Sequence, residues 1–316
     1  MTDKAAGATA DDASSVRWGG GVLVAYLGLI VAFLLLLFRH FEAAPLWAKL
    51  IMLWVGCILA GRLEAILHWT THFPVFRSPA LNMAHRLCFC VLPLPAIWYR
   101  YLHFHHHRFN NGDADTTTTL VRDAAAHASI WAYLRLALRE LHVLQFFREM
   151  KARHQVECIA SLVLTLVLAA VLALLDWRAA VLFWLPVTWV GSTLMVAVYN
   201  YTDHVPGVPA DPYRYATYVP LDSRYRRFLS ALDLHNISTH LTHHRAPGIY
   251  WTELPRRQAA WEADYRDHGA PVSVALNSAI LFNPIAFVRM LFFVNSTRNR
   301  LMSGHIDASP NVPAPG

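Results

Sequence analysis

The sequence predicts an all-α integral-membrane protein: two transmembrane helical hairpins (about four spans) with a cytoplasmic histidine-rich helical cap. Three observations predict it. Of 316 residues, 55% are hydrophobic and 15% are charged, against the ~25% charged residues usual in soluble domains. Long uncharged runs pair off around short polar turns. Many of the 18 histidines cluster in the stretches that follow those runs.

The elements follow in chain order. Residues 1–17 are rich in Ala, Asp and Ser with no basic n-region, so they are expected to be a disordered tail rather than a signal peptide. Residues 18–300 are read as the membrane domain and 301–316, ending in SPNVPAPG, as a flexible C-terminal tail. Gly20 to Phe38 is 19 residues without a charge, close to the ~20 needed to cross hydrocarbon. Ala43 to Gly61 is interrupted only by Lys49, which can snorkel from near its end. The link between these runs is short enough to make them an antiparallel hairpin. Cys158 to Leu175 and Ala179 to Thr202 form the second hairpin, turned by Asp176-Trp177-Arg178 and carrying Pro186 inside the last run. A proline is tolerated there when neighbours satisfy the freed carbonyl.

Two further apolar stretches are not read as spans. Cys88 to Trp98 is too short to cross and contains Pro93 and Pro95, so it is interfacial or re-entrant. Leu276 to Asn295, with Pro284 and Arg289, is read as an in-plane helix beside the site rather than a fifth span. Trp131, Leu134, Leu138 and Leu141 recur at helical spacing; a helix on the membrane surface and one packed on the cytoplasmic domain are both open.

Charge sets the orientation. Residues 62–156 hold 11 Lys/Arg and residues 200–316 hold 11 more. Two hairpins put both regions on one side, and the positive-inside rule makes that side cytoplasmic, together with both termini. The expected location is the cytoplasmic (inner) membrane. The net charge of +6 has no basic run suited to nucleic acid. Cys57, Cys88, Cys90 and Cys158 sit in apolar stretches and form no CxxC pair, which argues against a disulfide framework and an iron–sulfur module within the chain.

The histidines carry the chemistry. They form His68-Trp-Thr-Thr-His72, His103-Phe-His105-His106-His107 and His240-Leu-Thr-His243-His244, with His204 following the last span in Asn200-Tyr-Thr-Asp-His204. Residues four apart share a helix face, so His68 with His72, and Asn200 with His204, can address one centre. In HxxHH the first and fourth residues share a face and the fifth lies beside them. At this chain's own His frequency the pattern arises roughly 0.06 times by accident, yet it occurs twice. Neutral imidazoles without thiolates suit iron, copper or zinc. His105 sits inside the second group and becomes a ligand if the register differs. His235, five residues before His240, falls on nearly the opposite face and reads as a supporting or packing residue. Asp113, Asp115, Asp203 and Asp233 flank the groups, either orienting imidazoles or lying solvated in loops.

The order HxxxH, HxxHH, NxxxH, HxxHH resembles the membrane fatty acid desaturase superfamily, the histidine-box di-iron desaturases and hydroxylases. The flanks HWTTHFPVFRSPALN, HFHHHRFNNGDAD and NISTHLTHHRAPGIYWTELP are similar too, and the resemblance spans about residues 60–257. It implies two iron ions held by His68, His72, His103, His106, His107, His204, His240, His243 and His244, with Asn200 holding one iron through a water. One departure stands out: the first box usually has an acidic residue after its first histidine, and here Trp69 fills that place. Glu64, one turn before His68, is then the candidate partner for that ligand's other N–H.

The resemblance implies an O2-dependent oxidase acting on a fatty acyl or other lipid-like chain, with desaturation favoured over a hydroxylase or ketolase outcome. NYTDH is similar to the NYxEH of membrane alkane hydroxylases, and carotenoid ketolases are closer rivals. A His-rich metal transporter is the reading from another class, but its spans would carry ionisable residues and these carry almost none. Electrons must come from a separate ferredoxin, rubredoxin or cytochrome b5 type donor, for which Arg224, Arg226 and Arg227 are one docking possibility and topology-setting charge is the other reading.

Overall fold

Long uncharged segments leave a backbone in hydrocarbon one economical way to satisfy its polar groups, the helix. The structure is a computed structural model that describes residues 10–110, 112, 114–115, 131, 135, 143–204, 211–221, 224 and 239–272. Its named elements are all helical. His235, the stretch 276–295, most of 131–141 and the tail 301–316 lie outside the described residues.

Helix α1 (Ala10–Phe41) begins inside the stretch expected to be a tail and includes the whole first apolar run. After a turn at Pro45, α2 (Leu46–His72) returns. Its end is fixed by sequence. Phe73 precedes Pro74 and adopts the extended conformation (φ −126°, ψ 134°) that a following proline imposes. His68 and His72 therefore occupy the last turns of α2. Helix α3 (Pro79–Leu87) starts with Ser78 as N-cap and Pro79 in its first turn. A 3₁₀ turn, Cys88–Val91, follows. Helix α4 (Ala96–Phe109) begins after Pro95, so the two prolines of the short apolar stretch sit where the chain bends by 97° between Pro79–Val91 and Ala96–Phe109.

After α5 (Val143–Glu149) comes α6 (Ala152–Ala179). Asp176 is its one non-helical residue (φ −159°, ψ 96°), and its carboxylate accepts from the backbone N–H of Arg178 and Ala179, both at 3.1 Å. That is N-cap geometry, so the expected polar turn is a helix break with a new helix capped at once. The chain continues through π-helical turns, Ala180–Trp184 and Pro186–Gly191, into α7 (Ser192–His204). Pro186 and the wide turns free carbonyls, and hydroxyls take some of them: Thr188 donates to the Trp184 carbonyl (2.8 Å) and Thr193 to that of Trp189 (2.7 Å).

Among the described residues three stretches are long and apolar enough to cross a membrane: Gly19–Phe41, Leu46–His72 and Ala152–Val196. The bent pair α3/α4 makes a fourth if it is one span. The third stretch, 45 residues long, contains the first run expected of the second hairpin, most of the second, and the break at Asp176 between them. Close contacts pair Phe41 with Phe183 and Phe38 with Trp184. A Cβ on Gly56 would lie 2.9 Å from Val187, and one on Gly191 2.6 Å from Cys57, so small residues let α2 and the π-helical segment approach closely, as membrane helices commonly do. The outward face of α6 is bare leucine and valine, with Leu174 88% exposed, as expected of a surface solvated by lipid.

Candidate metal centre

Four short pieces of chain converge at the end of α2. Helix α2 brings His68 and His72, and α4 brings His103, His106 and His107. His204 closes α7, and α8 (His240–Arg245) brings His240, His243 and His244. Six residues are too few for a helix stable on its own, so α8 is clamped from outside. Leu241 is fully buried, and its N–H donates to the Thr217 carbonyl at 3.0 Å. From α9 (Leu254–Asp267), Gln258 and Tyr265 meet the Thr242 hydroxyl at 3.3 and 3.0 Å. Asp264 of the same helix pairs with Arg245 at 3.1 Å, while Tyr213 and Trp261 face the Arg245 guanidinium at 4.3 and 4.8 Å. Neither this clamp nor Asn110 was singled out by the sequence reading; the aromatic spacing of Trp261 and Tyr265 along α9 was the available signal.

The nine histidines meet through Nε2 atoms and fall into two groups. In the first, His68 lies 3.0 Å from His243, His243 3.0 Å from His107, His107 2.9 Å from His103 and His103 2.7 Å from His72. In the second, His106 lies 3.1 Å from His204, His204 2.9 Å from His240 and His240 3.1 Å from His244. A metal bound to imidazole at ~2.1 Å with ligands at right angles sets neighbouring nitrogens roughly 3 Å apart. The ligand atoms of His68, His72, His103, His107 and His243 all lie within 4.8 Å of one another, as do those of His106, His204 and His244. Each group can hold a metal ion.

Protonation favours the same use. Burial holds the His204 imidazole down at about 3, with His106 adding to the effect. Burial and neighbouring imidazoles hold His240, His243 and His244 well below the ordinary histidine range. Such rings stay neutral, the form that binds metal. All-imidazole donors without thiolate fit iron.

The far sides of the rings are held unequally. Asp115, fully buried, lies 2.7 Å from His106 Nδ1. Asn110 Oδ1 accepts from His244 Nδ1 at 3.0 Å and the Tyr215 carbonyl from His204 Nδ1 at 3.3 Å. Asn110 reaches inward because it ends α4 in the left-handed conformation (φ 42°), which asparagine tolerates better than most residues. The buried Nδ1 atom of His240, the fourth member of this group, has no partner among the described residues, and neither do those of His107 and His243 in the other group. Aromatic rings do the holding there. Trp69 stacks on His68 (4.6 Å, 15°) and meets His243 edge-on (4.7 Å, 78°), and Tyr99 stacks on His103 (5.5 Å, 8°).

The remaining candidates are placed as follows. His105 lies outside both groups, with its ring against Phe109 and Phe146 and Nε2 donating to the Ala114 carbonyl at 3.0 Å. Glu64, Asn200 and Asp203 line a cavity of about 40 Å³ with Tyr99 and with histidines of both groups, His68, His103, His106, His204 and His240, room for a few water-sized molecules. Asp203 is buried, and its carbonyl accepts from Thr217 N–H at 2.8 Å.

Residues 43–275 match a family model described as fatty acid desaturase, a match covering well over half of the chain. A search among curated proteins finds no match.

Proposed function

Because this chain belongs to the fatty acid desaturase family, we propose that it is an O2-dependent di-iron oxidase that introduces a double bond into a fatty acyl or other lipid-like chain. The carrying observation is the convergence of nine imidazole Nε2 atoms into two adjoining groups. The chain is an oxidoreductase of the membrane: its apolar helices and its family make it an integral membrane protein.

In this reading His68, His72, His103, His107 and His243 hold one iron. His106, His204, His240 and His244 hold the other, with Asn200 acting on it through a water. Bound there, the iron pair would supply the O2 chemistry that removes hydrogen from an unactivated C–H bond. The chain's own part is to fix the rings, keep them neutral and keep water out. Glu64 and Asp203 are polar wall residues of the adjoining cavity. The site and both termini lie on the cytoplasmic side, in keeping with the basic stretches 62–156 and 200–316. A lipid-like substrate suits a centre at the end of α2, within reach of the bilayer surface. Electrons come from a separate ferredoxin, rubredoxin or cytochrome b5 type protein.

Hydroxylation or ketolation is the second reading, favoured by the same ligand set. Mass spectrometry of lipids from a host with and without the gene separates the two. The expected product has lost two hydrogens; a gain of oxygen overturns desaturation. Metal analysis of the purified chain is expected to give two irons, and exchangeable zinc with transport activity in liposomes would overturn both readings.

A further inference from the structure

The proposed function needs electrons from a separate protein, and the following rests on that reading. We infer that the face of α4 carrying Arg100, Phe104 and Arg108 is the docking surface for an acidic one-electron carrier protein, which delivers electrons to the five-histidine group at His72.

Charge gives the first argument. From residue 65 to residue 112 the chain has Arg77, Arg86, Arg100 and Arg108 and no Asp or Glu. Arg86 is neutralised by Glu157, with contacts of 2.5 and 2.8 Å. Among the described residues no carboxylate pairs with the other three. Arg100, Phe104 and Arg108 are spaced four apart and share one helix face. A face whose arginines make no ion pair among the described residues steers and orients an acidic partner.

Access gives the second. Seven of the nine histidines are buried; His72 and His107 are the partly exposed ones, and both belong to the five-histidine group. Phe104 is 39% exposed, and its ring stands 5.5 Å from that of His72 at 89°. The Arg100 guanidinium lies 4.8 Å over the same Phe104 ring. Electron transfer falls steeply with distance, so a carrier gains most by docking where one exposed ring separates it from a ligand. The four-histidine group offers no such route, because His106, His204, His240 and His244 are all buried.

The electron count closes for the proposed desaturation. Two docking events supply two electrons, each leaving a carrier one electron more oxidised. The substrate gives up two electrons and two protons as the double bond forms. With two further protons from solvent, these four electrons take O2 to two waters.

The test uses the full chain in neutral phosphatidylcholine nanodiscs and an acidic [2Fe–2S] ferredoxin as probe. Ferredoxin binding to the wild type is expected to weaken with salt. Arg100→Glu with Arg108→Glu is expected to weaken binding and raise the KM for ferredoxin by roughly tenfold or more. Turnover driven by a small-molecule reductant should be unchanged. Arg100→Gln with Arg108→Gln should give a smaller shift in the same direction. Phe104→Leu should leave binding intact and slow reduction by ferredoxin. Unaltered ferredoxin binding in the charge-reversed chain overturns the inference, as does equal loss of ferredoxin-driven and reductant-driven turnover. Absence of salt-sensitive binding to the wild type also overturns it. A change confined to association with phosphatidylserine-containing bilayers makes the face a headgroup surface instead, and the inference fails. If the wild type converts no lipid even with the small reductant, the proposed function is what fails; ferredoxin binding to the metal-free chain still decides the surface.

Discussion

The four-histidine and five-histidine groups share one ligand chemistry and are held in different ways. His106, His204 and His244 are fixed through their far nitrogens by a buried carboxylate, a backbone carbonyl and an amide oxygen. The five-histidine group relies on flat aromatic surfaces, Trp69 against His68 and His243 and Tyr99 against His103. The first group is buried throughout, and the cavity of Glu64 and Asn200 is bordered by both groups, through His106, His204 and His240 on one side and His68 and His103 on the other. The second reaches the surface through His72 and His107. A carboxylate behind an imidazole raises the basicity of the ligand as well as orienting it, whereas a stacked ring orients without adding charge. The difference teaches that the positions are inequivalent. Both positions border the cavity, and only the aromatic-backed one also reaches the surface.

The largest expected effects come from removing a ligand on either side. His204→Ala should cost the four-histidine position its metal, and His243→Ala the five-histidine position. Each should abolish lipid conversion and lower bound iron. His127→Ala, at a histidine with no other histidine within ten residues, should leave iron and activity intact, and equal effects from His127 and His243 would sink the assignment. Metal analysis beside product analysis reads both.

Next comes the charge behind His106. Asp115→Asn keeps the shape and removes the charge-assisted hydrogen bond at 2.7 Å. Loss of such a partner typically costs about 10–100-fold in metal affinity. The expected outcome is biphasic release to a chelator, with one metal leaving early and the other unchanged. Uniform weakening of both would mean that the groups are not independent and would break the comparison.

How far these features were legible in the sequence depends on the kind of interaction. Apolar runs and helical spacing are local, so Gly20 to Phe38 and the HxxHH sets could be read directly. The turn at Asp176 was readable because a short acid between apolar runs is also a good N-cap. The register of the second box was open on spacing alone. What separates His105 from His106 in the fold is the contact of His105 with Phe146 and Ala114, which spacing does not encode. The division into five and four was not legible at all. His103 and His107 are neighbours of His106 in sequence yet join the other group, because helix α4 presents His106 on a face turned toward α7 while His103 and His107 meet α2 and α8. Nor was the role of Trp69, since a tryptophan where the family has an acid reads as a departure until its stacking partners are known.

That departure gives the smallest and most discriminating prediction. Aromatic pairs contribute about 0.5–1.5 kcal/mol beyond their buried area, so Trp69→Leu should loosen metal at the five-histidine position by roughly tenfold at most and leave the other position alone. Trp69→Phe retains a flat ring against His68 and deletes an indole N–H that has no partner among the described residues, and it should retain wild-type metal affinity. Differential chelator release on the two variants checks the point. If Trp69→Phe fails as badly as Trp69→Leu, the indole does more than stack, and the contrast between a hydrogen-bonded group and a ring-supported one has to be redrawn. If Trp69→Leu disturbs both positions, α2 transmits the change from His68 through His243 into α8, and the two groups are mechanically one.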